Sequence, residues 1–222
     1  FKFQISNFDK GFTLIELIVV MAVFMLIVAV AVAIFLSIID SQRRILAQEQ
    51  MLSQISYAIE YMSKGLRMAA KDDEGICLLY TDSGGEITQT FPGYIYLYTR
   101  PEQGTTQYTG IKFINQSNSD ACQEFFIAEN GGPNKVIKEL KNSVNDNSAT
   151  LLTAAKYNID YFKYSINGGS GLGSDGINGA SEDDGRQPRV TMIMGFEVPG
   201  DSNQPQIKIQ TTVSQRNLNV SQ

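Results

Sequence analysis

The sequence predicts an α+β fold: a long N-terminal helix, half transmembrane and half amphipathic, with an antiparallel β-sheet domain packed at its far end like the head of a lollipop. Three observations predict it. Residues 17–39 carry no charge, no proline and no glycine, and Ser37 is their only polar member. Apolar residues then recur at helical spacing as far as Ala69. From residue 76 onward, short aromatic and β-branched runs alternate with Gly, Pro, Asn and Asp, the pattern of strands and turns. The organisation that follows is a leader at 1–11, an apolar helix at 12–40, an amphipathic helix at 41–71 and a β-rich domain at 72–222.

Residues 1–11 are polar and mildly basic, with Lys2 and Lys10 ahead of the apolar run. They lack the apolar centre and small-residue cleavage site of an ordinary secretory signal, so they read as a leader kept on the cytoplasmic side by its charge. The 23 residues at 17–39 rise about 35 Å as a helix, enough to cross a hydrocarbon core of about 30 Å. One carboxylate, Glu16, stands at the front of this run. A charge inside a bilayer costs at least about 2.5–3.5 kcal/mol, so an acid there calls for a partner.

Asp40, Arg43 and Arg44 end the membrane segment without ending the helix. Ile45, Leu52, Ile55, Ile59, Met62, Leu66 and Ala69 form one apolar stripe reaching about Ala70, with Arg43, Gln48, Glu49 and Lys64 free to face water. Gly65 is the one poor helix former in it. Lys71-Asp72-Asp73-Glu74-Gly75 is a helix stop and reads as a solvated helix end.

Strands are predicted at 76–80, 94–99, 111–114, 123–128, 189–198 and 206–214. Residues 136–140 are compatible with strand or turn, and 142–150 read as a loop. Residues 157–166 alternate Tyr157, Ile159 and Tyr161 against Asn158 and Asp160, then change phase at Phe162, which predicts a strand with a bulge. Tyr94, Tyr96 and Tyr98 would share one face of a strand, covered by core or loop in preference to serving as a binding surface.

Composition narrows the function. The chain has 222 residues, 18 of them basic and 23 acidic, and no histidine. Removing residues 1–11 takes away Lys2, Lys10 and Asp9, leaving 16 basic and 22 acidic residues, a net charge of −6. An acidic domain with no basic face is ill suited to phosphate backbones, so no direct nucleic-acid partner is expected. Without histidine there is no Ser-His-Asp or Cys-His arrangement, and the commonest transition-metal ligand is missing. The chain is expected not to be an enzyme. Cys77 and Cys122, 45 positions apart, fit no metal or redox motif. A disulfide between them is expected in a domain outside the cytoplasm, worth about 3–4 kcal/mol in the chain-entropy model. Two buried free thiols are the alternative. The seven glycines at 167–185, with Asp175, Glu182, Asp183 and Asp184, leave calcium open as a cofactor. The spacing is not that of an EF-hand, and a solvated glycine-rich loop is the simpler reading. No other cofactor is expected.

Lys10-Gly11-Phe12-Thr13-Leu14-Ile15-Glu16, running into the apolar segment, resembles the processing and methylation motif of type IV prepilins and of type II secretion pseudopilins. The resemblance covers residues 10–44 closely. It implies a membrane peptidase that cuts after Gly11, N-methylation of the exposed Phe12, and a Glu16 that pairs with the new amino terminus of a neighbouring subunit. The physical reading agrees: cleavage puts a cation on Phe12, and such a pair sets register between subunits better than it adds stability. Residues 57–68 and 206–217 are also similar to the larger accessory pilins and J-type minor pseudopilins. Many main pilins carry a proline or glycine midway along the apolar segment. Val30-Ala31-Val32-Ala33-Ile34 has neither, which fits an accessory subunit. The implied protein is a minor pilin or pseudopilin, single-pass in the membrane, with its domain in the periplasm or at the cell surface. Its implied partners are other pilin subunits, the prepilin peptidase and an inner-membrane assembly platform. The main repeating subunit of a filament and a membrane-anchored adhesin are the alternatives.

Overall fold

The computed structural model describes residues 11, 13–81, 87–102, 107–143, 145–167, 187–199 and 205–216. The chain divides into two compact units, Phe1–Leu46 and Ala47–Gln222. The first contains the front of helix α1 (Leu14–Arg67). Its large apolar side chains are exposed, from Leu14 at 76% to Ile38 at 48%. No helix breaker interrupts them, and the helix is long and apolar enough to cross a membrane by length and composition.

The second unit holds the back of α1 and, among the described residues, eleven strands: β1 (Ala69–Ala70), β2 (Leu79–Thr81), β3 (Ile87–Thr90), β4 (Tyr96–Pro101), β5 (Tyr108–Asn115), β6 (Ala121–Glu129), β7 (Lys135–Lys141), β8 (Thr150–Leu151), β9 (Asn158–Asn167), β10 (Arg189–Glu197) and β11 (Gln206–Ser214). Every pairing is antiparallel. A six-stranded sheet runs β1-β5-β6-β7-β8, with β4 also paired to β5; β11-β10-β9 form a second sheet, and β2-β3 a third.

Period-two alternation places Ile111 and Phe113 of β5, Phe125 of β6 and Ile137 of β7 in the main core, all fully buried. Phe162, Tyr164, Met192, Met194 and Phe196 of the three-stranded sheet join that core, together with the helix residues Met51, Ile55, Met62 and Leu66. Tyr96 belongs to it as well. Leu97, the next residue, turns to the opposite face and joins a smaller cluster with Cys77, Leu78, Phe91 and Tyr94. The three tyrosines of the 94–98 run therefore do not share one face: Tyr94 packs in the small cluster and Tyr96 in the main one.

The helix departs from expectation in two ways. Its buried stripe is Met51, Ile55, Ala58, Met62 and Leu66, while Ile45 is 51% and Leu52 43% exposed. Several apolar rows run along this helix, and the sheets cover the one centred on Met51 and Met62. The helix also ends at Arg67 instead of Ala70, because Ala69 and Ala70 pair with Asn115 and Ile114 as β1. The carbonyls at its end find distant donors. Tyr96 Oη donates to Leu66 O at 2.6 Å, Arg216 N to Arg67 O at 2.8 Å, Gln116 N to Met68 O at 3.0 Å and Gln215 Nε2 to Ala69 O at 2.7 Å.

Among the strands, 136–140 is a strand. The run expected at 76–80 pairs only from Leu79, and its partner β3 was not anticipated. The bulge in β9 is real and falls one step early. The register passes from Gly195↔Tyr161 to Phe196↔Ile159, so Asp160 is the extra residue. Asp160 and Tyr161 both face outward, between the buried Ile159 and Phe162. Gly195 sits opposite the bulge, where its missing side chain leaves room for the Asp160 carboxylate.

Candidate processing and assembly site

The start of α1 is built by local chemistry. Thr13 precedes the first helical residue, and its Oγ1 accepts from the backbone N–H of Glu16 at 3.4 Å, while its carbonyl accepts from Leu17 N at 3.2 Å. Thr13-Leu14-Ile15-Glu16 thus has the Thr-x-x-Glu pattern of a capping box, a signal for the helix start that the apolar run obscures. Glu16 lies in the first turn, where the unpaired N–H groups of the helix end favour an anion. Its side chain is exposed, so the carboxylate is open to a cation brought by another molecule. Gly11 is exposed, lies outside the helix and has open space around it. Phe12 lies outside the described residues.

Asp175, Glu182, Asp183 and Asp184, the calcium candidates, also lie outside the described residues. Among the described residues no group of three or more His, Cys, Asp or Glu is placed to hold a metal.

The sheet unit carries three polar constructions, all tied to structure. Cys77 and Cys122 form a disulfide with Cα atoms 5.5 Å apart. Next to it, Asp72 is 3% exposed and its carboxylate accepts from the amides of Ile76 at 3.2 Å, Cys77 at 2.9 Å and Leu78 at 2.6 Å. The acidic run at 71–74 is therefore solvated at Lys71, Asp73 and Glu74 but not at Asp72, whose charge the chain folds back to satisfy.

Beneath α1, Asn115 Nδ2 donates to Gln123 Oε1 at 2.6 Å, Gln123 Nε2 donates to Glu139, and Tyr61 Oη donates to Glu139 Oε1 at 2.9 Å. Lys141 Nζ closes this ladder on Tyr61 Oη at 2.9 Å and on Glu139 at 3.3 Å. Burial pushes the Tyr61 hydroxyl up, and the hydrogen bond to that hydroxyl raises Lys141. On the other face of the sheet, Arg100 grips Asp146 through Nη1 at 2.7 Å and Nη2 at 2.6 Å, and Glu124 through Nε at 3.1 Å. Its hydrogen bonds hold the Asp146 carboxyl below the usual carboxylate range. Every one of these groups is engaged by neighbours in the fold.

The chain thus combines an exposed apolar helix, long enough to cross a membrane and with one acid in its capped first turn, with an antiparallel sheet unit: an α+β protein. Residues 6–38 match the family described as the prokaryotic N-terminal methylation motif. The match is confined to this N-terminal stretch and carries the likeness to type IV pilin-like proteins there. No curated protein and no solved structure shows significant similarity to the chain.

Proposed function

We propose that this protein is a minor pilin or pseudopilin, an assembly subunit of a type IV pilus or a type II secretion pseudopilus. The observation that carries the reading is Glu16. It is exposed on an apolar helix within the methylation motif, with no ion pair to a cation of its own chain among the described residues. Cleavage after Gly11 would create an ammonium at Phe12, and the amine of one subunit would neutralise Glu16 of the next where both are out of water. The exposed side chains of the apolar run would pack against the same run of neighbouring subunits. The uninterrupted helix, with no proline or glycine between Leu14 and Lys64, supports an accessory role over that of main repeating subunit. In this reading the peptidase and the inner-membrane assembly platform act on the N-terminal segment, and the sheet unit lies outside the cytoplasm.

The test is intact mass and N-terminal sequencing of protein purified from its native membrane. A chain that starts at Phe12 and carries one extra methyl group is the expected result; a chain that keeps residues 1–11 overturns the reading. Glu16→Ala is then expected to leave membrane insertion intact and to abolish incorporation into filaments, scored by the protein present in sheared filament fractions.

A further inference from the structure

Residues 72–81 and 87–94 form a lobe that is nearly closed on itself. Its two ends are tied by Asp72 N donating to Tyr94 O at 2.8 Å and Gly93 N donating to Asp72 O at 2.6 Å. Strands β2 and β3 pair with each other, and the turn bonds at Leu79, Phe91 and Tyr94 also close inside the segment. The Asp72 carboxylate spends its acceptor capacity within the lobe, on the amides of Ile76, Cys77 and Leu78. The lobe has its own small apolar cluster, distinct from the main core, resting on Leu97, Ile114 and Cys122 of the six-stranded sheet. Besides the main chain at its two ends, the bond from Cys77 in the lobe to Cys122 in β6 crosses that seam.

We propose that the Cys77–Cys122 bond is a redox latch: a dithiol of the thiol–disulfide exchange class releases the lobe as one cooperative unit while α1 and the two larger sheets stay folded. The two sulfurs are not equivalent. Cys77 is 5% exposed, whereas Cys122 is partly exposed and lies on a strand paired on both sides. A thiolate of the reductant attacks Cys122 Sγ, the bond to Cys77 Sγ breaks, and Cys77 leaves as a thiolate that takes a proton from water. The second thiol of the reductant then attacks its own sulfur on Cys122 and frees that cysteine. Two electrons and two protons pass to the pair, and the dithiol becomes a disulfide. The leaving sulfur is the buried one, and burial disfavours a thiolate, so the latch holds closed in an oxidising compartment. Opening uncovers Leu97, which is fully buried while the latch is shut, so only the oxidised subunit presents a sealed surface on that side.

The experiment is hydrogen exchange of the full chain in detergent micelles, with and without dithiothreitol, followed by iodoacetamide labelling. The expected result is amide exchange about tenfold faster or more in 72–81 and 87–94, with 108–141 and 158–167 unchanged, as for local opening of one unit. Cys77 should then alkylate as fast as Cys122. Unchanged exchange in the lobe, with Cys77 still protected after reduction, overturns the latch. Faster exchange throughout 108–141 also overturns it, since the bond would then staple the whole domain.

Discussion

Asp72 and Asp73 are adjacent and chemically identical, yet one is buried and one is solvated. The difference lies in the chain that follows, which turns back so that three consecutive amides point at the Asp72 carboxylate. Asp72→Ala strands those donors in the lobe and is expected to destabilise it by about 2–3 kcal/mol, measured by denaturant unfolding of the oxidised protein. Asp73→Ala, at an exposed position, is the control and should be near neutral. The Arg100–Asp146 pair makes a pH prediction. The folded carboxyl titrates below its ordinary 3.8, so the pair contributes stability in full above that pH. That contribution is lost as pH falls through the lower folded value. Acid unfolding of an Arg100→Met variant should therefore begin at higher pH than wild type, while both behave alike in pH dependence between 5 and 8. Both carboxylates could be named from the sequence as acids; the amides that hold Asp72 are local, whereas the partner of Asp146 lies too far along the chain to be foreseen. Arg100 and Asp146 are 46 positions apart.

At the scale of elements, the strands β5, β6, β10 and β11 are legible because alternation and β-branched content are local properties. The helix is legible for the same reason, but its end is not. A glycine or asparagine would have capped the end of α1 locally; here Arg67-Met68-Ala69-Ala70 offers none, and the last carbonyls are satisfied by Tyr96, Gln116, Gln215 and Arg216. Gln215 is 1% exposed, so Gln215→Ala leaves the Ala69 carbonyl without its donor and is expected to cost about 1–2 kcal/mol. Thermal unfolding reads this loss, and faster exchange at residues 67–70 would place it at the helix end. Gly65 is a second case. In the sequence it is a flaw in a helix; in the fold its missing side chain lets the Phe113 and Phe125 rings approach, and an added Cβ would meet them at 3.3 and 3.4 Å. The bulge in β9 was readable as a change of phase. Placing it at Asp160 needed Gly195 on the neighbouring strand.

At the scale of the whole molecule, the two units have opposite relations to water. The large apolar side chains of the first are exposed, and those of the second are mostly gathered in cores. Removing residues 1–46 is therefore expected to give a chain that is soluble without detergent and keeps the Cys77–Cys122 bond, whereas the full chain needs detergent or lipid. Gel filtration and thiol counting check this, and an aggregated truncation would show that the second unit does not fold alone. By itself the sequence determined the α+β class, the membrane-suited helix, the motif at Gly11 to Glu16 and the absence of histidine chemistry. These are carried by composition and short spacings, which no distant residue can change. Only the tertiary structure decided which row of the helix is buried, where the helix stops, that Asp72 leaves water and that Cys77 meets Cys122. The buried row, the helix end and the disulfide depend on residues that are far apart in the chain and become neighbours only when the sheets close over the helix; the burial of Asp72 depends on a local turn of the chain that composition does not specify.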